Sequence, residues 1–401
     1  MKYIVLLADG MADLPMESLG GRTPMEAAEK PHMDLLACQG VMGMARTVPQ
    51  GMPPGSDTAN MAVMGFDPRI YYSGRSPLEA VAMGVDLKDD DLCLRTNLVC
   101  LSPEEDYEGK TMVDFSAGEI TTSESRELIA ALQPLFTGEM KLYAGISYRH
   151  CSVMAQGQSG AVLTPPHDIT GKPITEYLPR GRYAAQLLAL QKASYEILRK
   201  HPVNLQRQSV GMRPANSLWF WGMGTKPRID SMEKLYGVKG GVVCAVDLVK
   251  GLGLCAGMKA PDIPGATGGM VTDYSAKAEA ALQLLQDGCD LVYIHIEAPD
   301  ECSHHGDVTG KIAAIEAIDR KVLGRLQEAL AGTDYRILLT PDHPTPLCRM
   351  THTPDPVPFV LYDSRRCEAY SRRYTEAEAA KTGLFLPEGY RLMELLIRGA
   401  L

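Results

Sequence analysis

Carboxylates and imidazoles concentrate in two nearby stretches, LVYIHIEAPDECSHHGD at 291–307 and YRILLTPDHPTPLCRMTHTPDP at 335–356. Asp300 and His304 are four residues apart, a spacing that puts both on one face of a helical turn, with His305 directly beside them. Asp342 and His343 are adjacent and leave an apolar run together, and His352 follows closely. Such mixed oxygen and nitrogen donors suit a divalent metal, and they favour Mn or Zn over Ca, which prefers oxygen alone.

The donors need elements that bring them together. Leu291 to Ile296 and Tyr335 to Thr340 are short, continuous apolar runs, the pattern of strands buried on both faces in a parallel sheet. Residues just past the carboxyl ends of such strands share one crevice although they are distant in sequence. The N-terminal run Tyr3 to Ala8 ends the same way, at Asp9-Gly10, and adds a third carboxylate at a strand end. In VPQGMPPGSDTANMAVMGFDP, the loop Pro53-Pro54-Gly55 precedes a predicted helix from Thr58 to Met64 closed by Gly65. Ser56 therefore stands at a helix N-terminus, where backbone N–H groups and the helix dipole favour an anion such as phosphate. Beside a metal its hydroxyl becomes a candidate nucleophile.

A chain of 401 residues, 45% hydrophobic and 22% charged, can bury a large core and suggests two domains. Its net charge of -9 argues against nucleic acid as a partner, which requires a basic surface. MKYIVLLADG is too short an apolar run for a signal peptide or membrane helix, so no membrane partner is expected and the cytoplasm is the default location. Ten cysteines occur without a C-x-x-C pair, as expected of buried thiols. The sequence carries no signal for an oligomeric state.

Between the Ser56 loop and the metal stretches the pattern changes. Strand candidates Cys93 to Cys100 and Ile146 to Met154 alternate with predicted helices at Ser123 to Leu135 and Arg182 to Lys200, an inserted α/β segment. There GISYRHCSVMAQ interrupts an apolar strand with Arg149 and His150, a candidate anion contact and a candidate proton carrier. RPANSLWFWGMGTKPRID follows, with Trp219 and Trp221 on one face of a predicted strand and a hinge candidate at Gly222 to Gly224. Arg213 and Lys250 are further candidate cations for an anionic substrate. Further helices are expected at Tyr274 to Leu285, Thr309 to Leu330 and Tyr390 to Arg398.

A serine at a helix N-terminus with carboxylate and imidazole ligands at three strand ends fits two-metal phosphoryl transfer. The order Asp9, Ser56, Asp300 with His304, Asp342 with His343, and His352 resembles the alkaline phosphatase superfamily. LLADGMAD, PPGSDTAN, EAPDECSHHGD, TPDH and MTHTPDPVP resemble the archaeal-type cofactor-independent phosphoglycerate mutases, over nearly the whole chain. The resemblance implies an α/β, alkaline-phosphatase-like core with a mainly parallel sheet flanked by helices, at residues 1–74 and 214–401, and an inserted smaller α/β domain at 75–213 that closes over substrate. It implies two divalent metal ions, commonly Mn, with Zn, Co or Mg as alternatives. Ser56, Asp9, Asp342 and His343 would hold one, and Asp300, His304 and His352 the other. The implied activity moves a phosphoryl group from 3-phosphoglycerate to Ser56 and back to the 2-hydroxyl, without 2,3-bisphosphoglycerate. Arg149, Arg213 and Lys250 are then the candidate substrate contacts. A related phosphotransferase, such as a homoserine kinase-like enzyme, or a metal-dependent phosphatase would use the same centre.

Overall fold

The computed structural model describes residues 1–366 and 369–399. Its strands in chain order are β1 (Lys2–Ala8), β2 (Val41–Ala45), β3 (Leu92–Leu101), β4 (Met112–Asp114), β5 (Met140–Ile146), β6 (Arg149–Met154), β7 (Ala161–Val162), β8 (Arg180–Gly181) and β9 (Ser217–Thr225). After these come β10 (Gly240–Val243), β11 (Leu291–Ile296), β12 (Tyr335–Thr340), β13 (Val357–Asp363) and β14 (Phe385–Leu386). The chain forms two compact units, 1–72 with 229–401 and 73–228.

The first unit is built on a seven-stranded sheet in the order β10-β11-β1-β12-β13-β2-β14. β10, β11, β1 and β12 are mutually parallel, and β13 runs antiparallel to both of its neighbours. The two apolar runs after which the donors fall are β11 and β12, with the expected bounds, and β1 lies between them. Neighbouring strand residues such as Ile4, Val5, Leu6 and Leu7 are all fully buried, as parallel strands covered on both faces require. The helices Tyr274–Gln286 and Val308–Ala317 cover one face, and the latter continues through a π turn, Ile318–Leu323, into Gly324–Ala329. Among the described residues no helix is long and apolar enough to cross a membrane.

The second unit holds an antiparallel sheet, β4-β3-β6-β5, with β9 also paired to β3. Two features depart from expectation. The run 146–154 is a hairpin corner and not one strand: Ser147, at φ +54°, turns β5 into β6. Also, β9 pairs with β3 from Thr225 opposite Leu92 to Ser217 opposite Val99, so the return to the first unit falls at 228/229 and not 213/214. The opening boundary moves from 74/75 to 72/73. Gly222–Gly224 accordingly lie inside a paired strand. Trp219 and Trp221 share one buried face, packed with Val99, Leu101 and Tyr107.

Candidate active site

The parallel strands β1, β11 and β12 deliver their donors to one end of the first sheet. Asp9 follows β1 directly, Asp300 and His304 lie on the short helix Ala298–His304 after β11, and Asp342 and His343 follow β12. Close approach is possible because residue 10 is glycine. Its φ is +61°, its N–H donates to Asp342 Oδ1 at 3.1 Å, and a Cβ there would stand 2.5 Å from Asp300 Oδ1. The helix Ser56–Val63 starts two residues before its predicted first residue, Thr58, and Ser56 is its first residue.

Two donor groups result. Asp9, Asp342 and His343 are wholly buried and offer ligand atoms within 4.8 Å of one another. Ser56 Oγ joins them, 3.4 Å from Asp9 Oδ2 and 3.2 Å from His343 Nε2. In the second group His304 Nε2 lies 3.2 Å from Asp300 Oδ2 and 3.0 Å from His352 Nε2, and His352 Nε2 lies 3.5 Å from Asp300 Oδ1. His305 turns away, pairing with the half-buried Glu301 through Nδ1 at 3.6 Å, so the helix face selects His304.

Electrostatics show that these groups suit cations. Burial, reinforced by the charges of Asp342, Asp300 and Glu297, pushes the Asp9 carboxyl well above the usual carboxylate range. Burial and then Asp300 and Glu301 push Glu297 up to about 8. Among the described residues no lysine or arginine forms an ion pair with Asp9, Asp300 or Asp342. Asp9 Oδ1 makes no hydrogen bond although it is buried. Burial penalises the Asp300 charge as well, but His304 and His352 outweigh it and hold that carboxyl well below its ordinary value. The hydrogen bond to Asp300 raises His304 to about 9.

The imidazoles are pre-oriented. Thr345 Oγ1 donates to Asp300 Oδ1 at 2.5 Å, so it accepts from His343 Nδ1 at 3.2 Å, which leaves the His343 Nε2 lone pair facing Ser56 and Asp9. Met350 C=O lies 3.0 Å from His304 Nδ1 and likewise frees His304 Nε2. A buried carboxylate oxygen without a partner and uncompensated negative charge fit a divalent cation in the first group, and the clustered Asp300, His304 and His352 donors fit one in the second.

Sequence reasoning passed over several residues here. His295 lies 2.8 Å from Asp9 through Nε2, and burial holds its imidazole down to about 4. Asn60, one turn after Ser56, donates through Nδ2 to Ser56 C=O at 2.9 Å and to Asp342 Oδ2 at 3.0 Å, while Tyr293 O–H donates to Asn60 Oδ1 at 2.8 Å. A histidine inside the apolar run LVYIHI was a readable signal, the same one that drew attention to Arg149 and His150. Asn60 and Thr345 carried none.

The remaining candidates are placed differently. Lys250, on the helix Asp247–Cys255 of the first unit, is ion-paired with Asp262. Arg213, in the second unit, donates to Asp114 Oδ2 at 2.6 Å. Arg149 opens β6, is exposed, and lies 5.8 Å over the Tyr148 ring. Nearby, Arg75 and Arg95 lie 5.7 and 5.3 Å from the Trp221 ring. His150 is a correction. It is 2% exposed, its Nδ1 accepts the Gly145 N–H at 3.0 Å, and burial, then the charge of Arg95, lowers its pKa to about 3. It braces the β5–β6 hairpin as a neutral ring, and burial keeps that ring from taking up a second proton near neutrality.

The fold and the site define an α/β protein in which a serine at a helix N-terminus stands beside one of two carboxylate and imidazole groups. A family model described as 2,3-bisphosphoglycerate-independent phosphoglycerate mutase matches residues 37–204. A Geobacter sulfurreducens protein described as a probable 2,3-bisphosphoglycerate-independent phosphoglycerate mutase is 49% identical over 403 residues, covering 99% of this chain and 100% of its own. A Methanothrix thermoacetophila mutase of that description is 48% identical over 401 residues, covering 100% of both chains. Among solved structures, the PH0037 protein of Pyrococcus horikoshii superposes with a TM-score of 0.82 at 31% identity, covering 100% of this chain and 98% of that one. The cofactor-independent phosphoglycerate mutase of Thermoplasma acidophilum gives 0.67 at 28% identity, covering 100% of both. The chain belongs to the 2,3-bisphosphoglycerate-independent phosphoglycerate mutase family.

Proposed function

We propose that the chain interconverts 3-phosphoglycerate and 2-phosphoglycerate through a phosphoserine at Ser56, without 2,3-bisphosphoglycerate. The observation that carries this reading is Ser56 Oγ within 3.4 Å of both Asp9 and His343, at the first turn of a helix. Asp9, Asp342, His343 and Ser56 would hold one divalent cation and Asp300, His304 and His352 the second, with Mn the first choice for this mixture of donors. When bound, the cations stabilise negative charge on Ser56 Oγ and on the phosphoryl oxygens.

The chain's own residues supply the rest. Ser56 Oγ, beside Asp9 Oδ2 and His343 Nε2, forms the bond to phosphorus as the bond to the glycerate oxygen breaks, and the serine proton passes to that departing oxygen. The N-terminal N–H groups of the helix Ser56–Val63 face the transferring phosphoryl group. The glycerate then returns its other hydroxyl to the same phosphorus, and Ser56 recovers its proton. Arg149 is the preferred contact for the glycerate carboxylate, because Arg213 and Lys250 are engaged by Asp114 and Asp262. Water must be excluded during reorientation, or the phosphoserine would hydrolyse. The reaction belongs in the cytoplasm, and nine free cysteines among the described residues suit a reducing compartment.

The test supplies metal-stripped protein with Mn²⁺ and 3-phosphoglycerate, and follows 2-phosphoglycerate through enolase with a chelator control. Metal-dependent product is expected. Its absence from folded, Mn²⁺-loaded protein overturns the reading and makes homoserine with a phosphoryl donor the next substrate to try.

A further inference from the structure

The two oxygens of Asp9 have different surroundings. Oδ1 lies 3.6 Å from His343 Nε2 and makes no hydrogen bond, whereas Oδ2 lies 2.8 Å from His295 Nε2. His295 is fully buried in β11, and among the described residues its Nδ1 has no hydrogen-bond partner. A neutral imidazole carries one proton, and a buried N–H without an acceptor is costlier than a bonded one. The proton therefore belongs on Nε2, where Asp9 accepts it. The same argument sets aside His295 as a metal ligand: a coordinating Nε2 would force the proton onto Nδ1, where nothing accepts it.

Strand alternation extends the pattern. Tyr293 lies two residues earlier on the same face of β11, and its hydroxyl holds Asn60, which donates to Asp342 Oδ2. Both carboxylates of the first group are thus steadied from one face of β11, directly for Asp9 and through Asn60 for Asp342. Among the described residues the second group has no such link: Asp300 is held by Thr345.

We propose that His295 is a positioning residue whose Nε2–H fixes Asp9 Oδ2 and so presents Oδ1 to a divalent cation in the first donor group. The inference rests on the reading that both groups hold cations. Loss of an orienting partner of this kind weakens metal binding by about 10- to 100-fold, and the loss here is confined to one of two sites.

The experiment titrates Mn²⁺ into metal-stripped wild-type, His295→Leu and His295→Gln proteins, followed by calorimetry and by electron paramagnetic resonance. Wild type takes up two ions and gives the spectrum of a coupled pair. His295→Leu keeps one affinity, which also reports that it is folded, and loses about 10- to 100-fold in the other, so that intermediate Mn²⁺ gives an isolated-ion spectrum. His295→Gln, whose amide N–H can reach Asp9, restores most of the lost affinity. Two wild-type-like affinities in His295→Leu overturn the proposal, as does equal weakening in the leucine and glutamine variants, which would mark ring packing or direct ligation. Wild-type protein that binds no Mn²⁺ overturns the cation reading itself, an outcome distinct from the other two.

Discussion

At the scale of single residues, adjacent side chains of one type divide sharply in role. His304 faces Asp300 and His352, while the side chain of His305 is 64% exposed and pairs with Glu301. His304→Ala is expected to lose about 100-fold or more in activity at limiting Mn²⁺, because a direct donor matters at least as much as the partners that orient one. His305→Ala should change activity little and stability by less than about 0.5 kcal/mol; enzyme-coupled assays at several Mn²⁺ concentrations separate the two. Ser56→Ala should lose turnover by about three orders of magnitude or more while still binding two cations, since the other donors stay in place. Turnover that survives in Ser56→Ala would sink the phosphoserine route. The seven proposed donors could be named from sequence because Asp9, Ser56, Asp300, Asp342 and His343 follow apolar runs or the Pro53-Pro54-Gly55 loop, and His304 and His352 lie close behind two of them. Asn60 and Thr345 could not, because an orienting role depends on which atoms meet across the fold, and spacing along the chain does not encode that; His295 stood out only as a histidine inside an apolar run.

At the scale of elements, the site depends on three parallel strands ending level with one another and on a turn tight enough to let their donors meet. β1 pairs in register with β11 up to Ala8 opposite Ile296, and with β12 up to Leu7 opposite Thr340. Gly10 then lets the chain leave β1 against the backbone of Asp300, whose Cα would stand 2.7 Å from an added Cβ. Gly10→Ala should therefore destabilise the protein by about 2 to 4 kcal/mol, from the left-handed backbone and the overpacking together. It should also weaken cation binding in the group that contains Asp300. Urea unfolding of metal-stripped protein and Mn²⁺ titration read these effects separately, and an unchanged midpoint would contradict the steric argument. These strands were readable from sequence because continuous apolar runs bounded by polar residues have few alternative interpretations. The β5–β6 hairpin was not, because its turn uses Ser147 at positive φ without the glycine or asparagine that usually marks such a corner.

At the scale of the whole molecule, two units with different chemistry share one chain, and sequence located the insertion more securely at its start than at its end. The opening boundary follows the short helix Pro68–Tyr71, whereas the closing one lies beyond β9, whose apolar, tryptophan-bearing pattern suits a core strand of either unit. The second unit also carries a pH dependence of its own. His150 has a folded pKa of about 3 against about 6.5 when unfolded, because burial and then the charge of Arg95 disfavour its cation. Between those values the unfolded chain binds a proton that the folded chain does not. Stability therefore rises with pH across the window and is lost as pH falls from about 6.5 toward 3, with no effect above it. At pH 5 the loss attributable to this ring is about 2 kcal/mol relative to pH 7.5. His150→Asn removes the ionisation, and its Oδ1 can take over the Gly145 N–H that Nδ1 accepts. The variant pays the same packing cost at both pH values, so the difference between them isolates the proton. Urea unfolding of chelated wild-type and His150→Asn proteins at pH 7.5 and 5.0 should show the variant losing about 2 kcal/mol less on acidification. Equal losses in the two proteins would mean that His150 titrates as an ordinary exposed histidine, and the buried neutral ring bracing the hairpin would have to be abandoned.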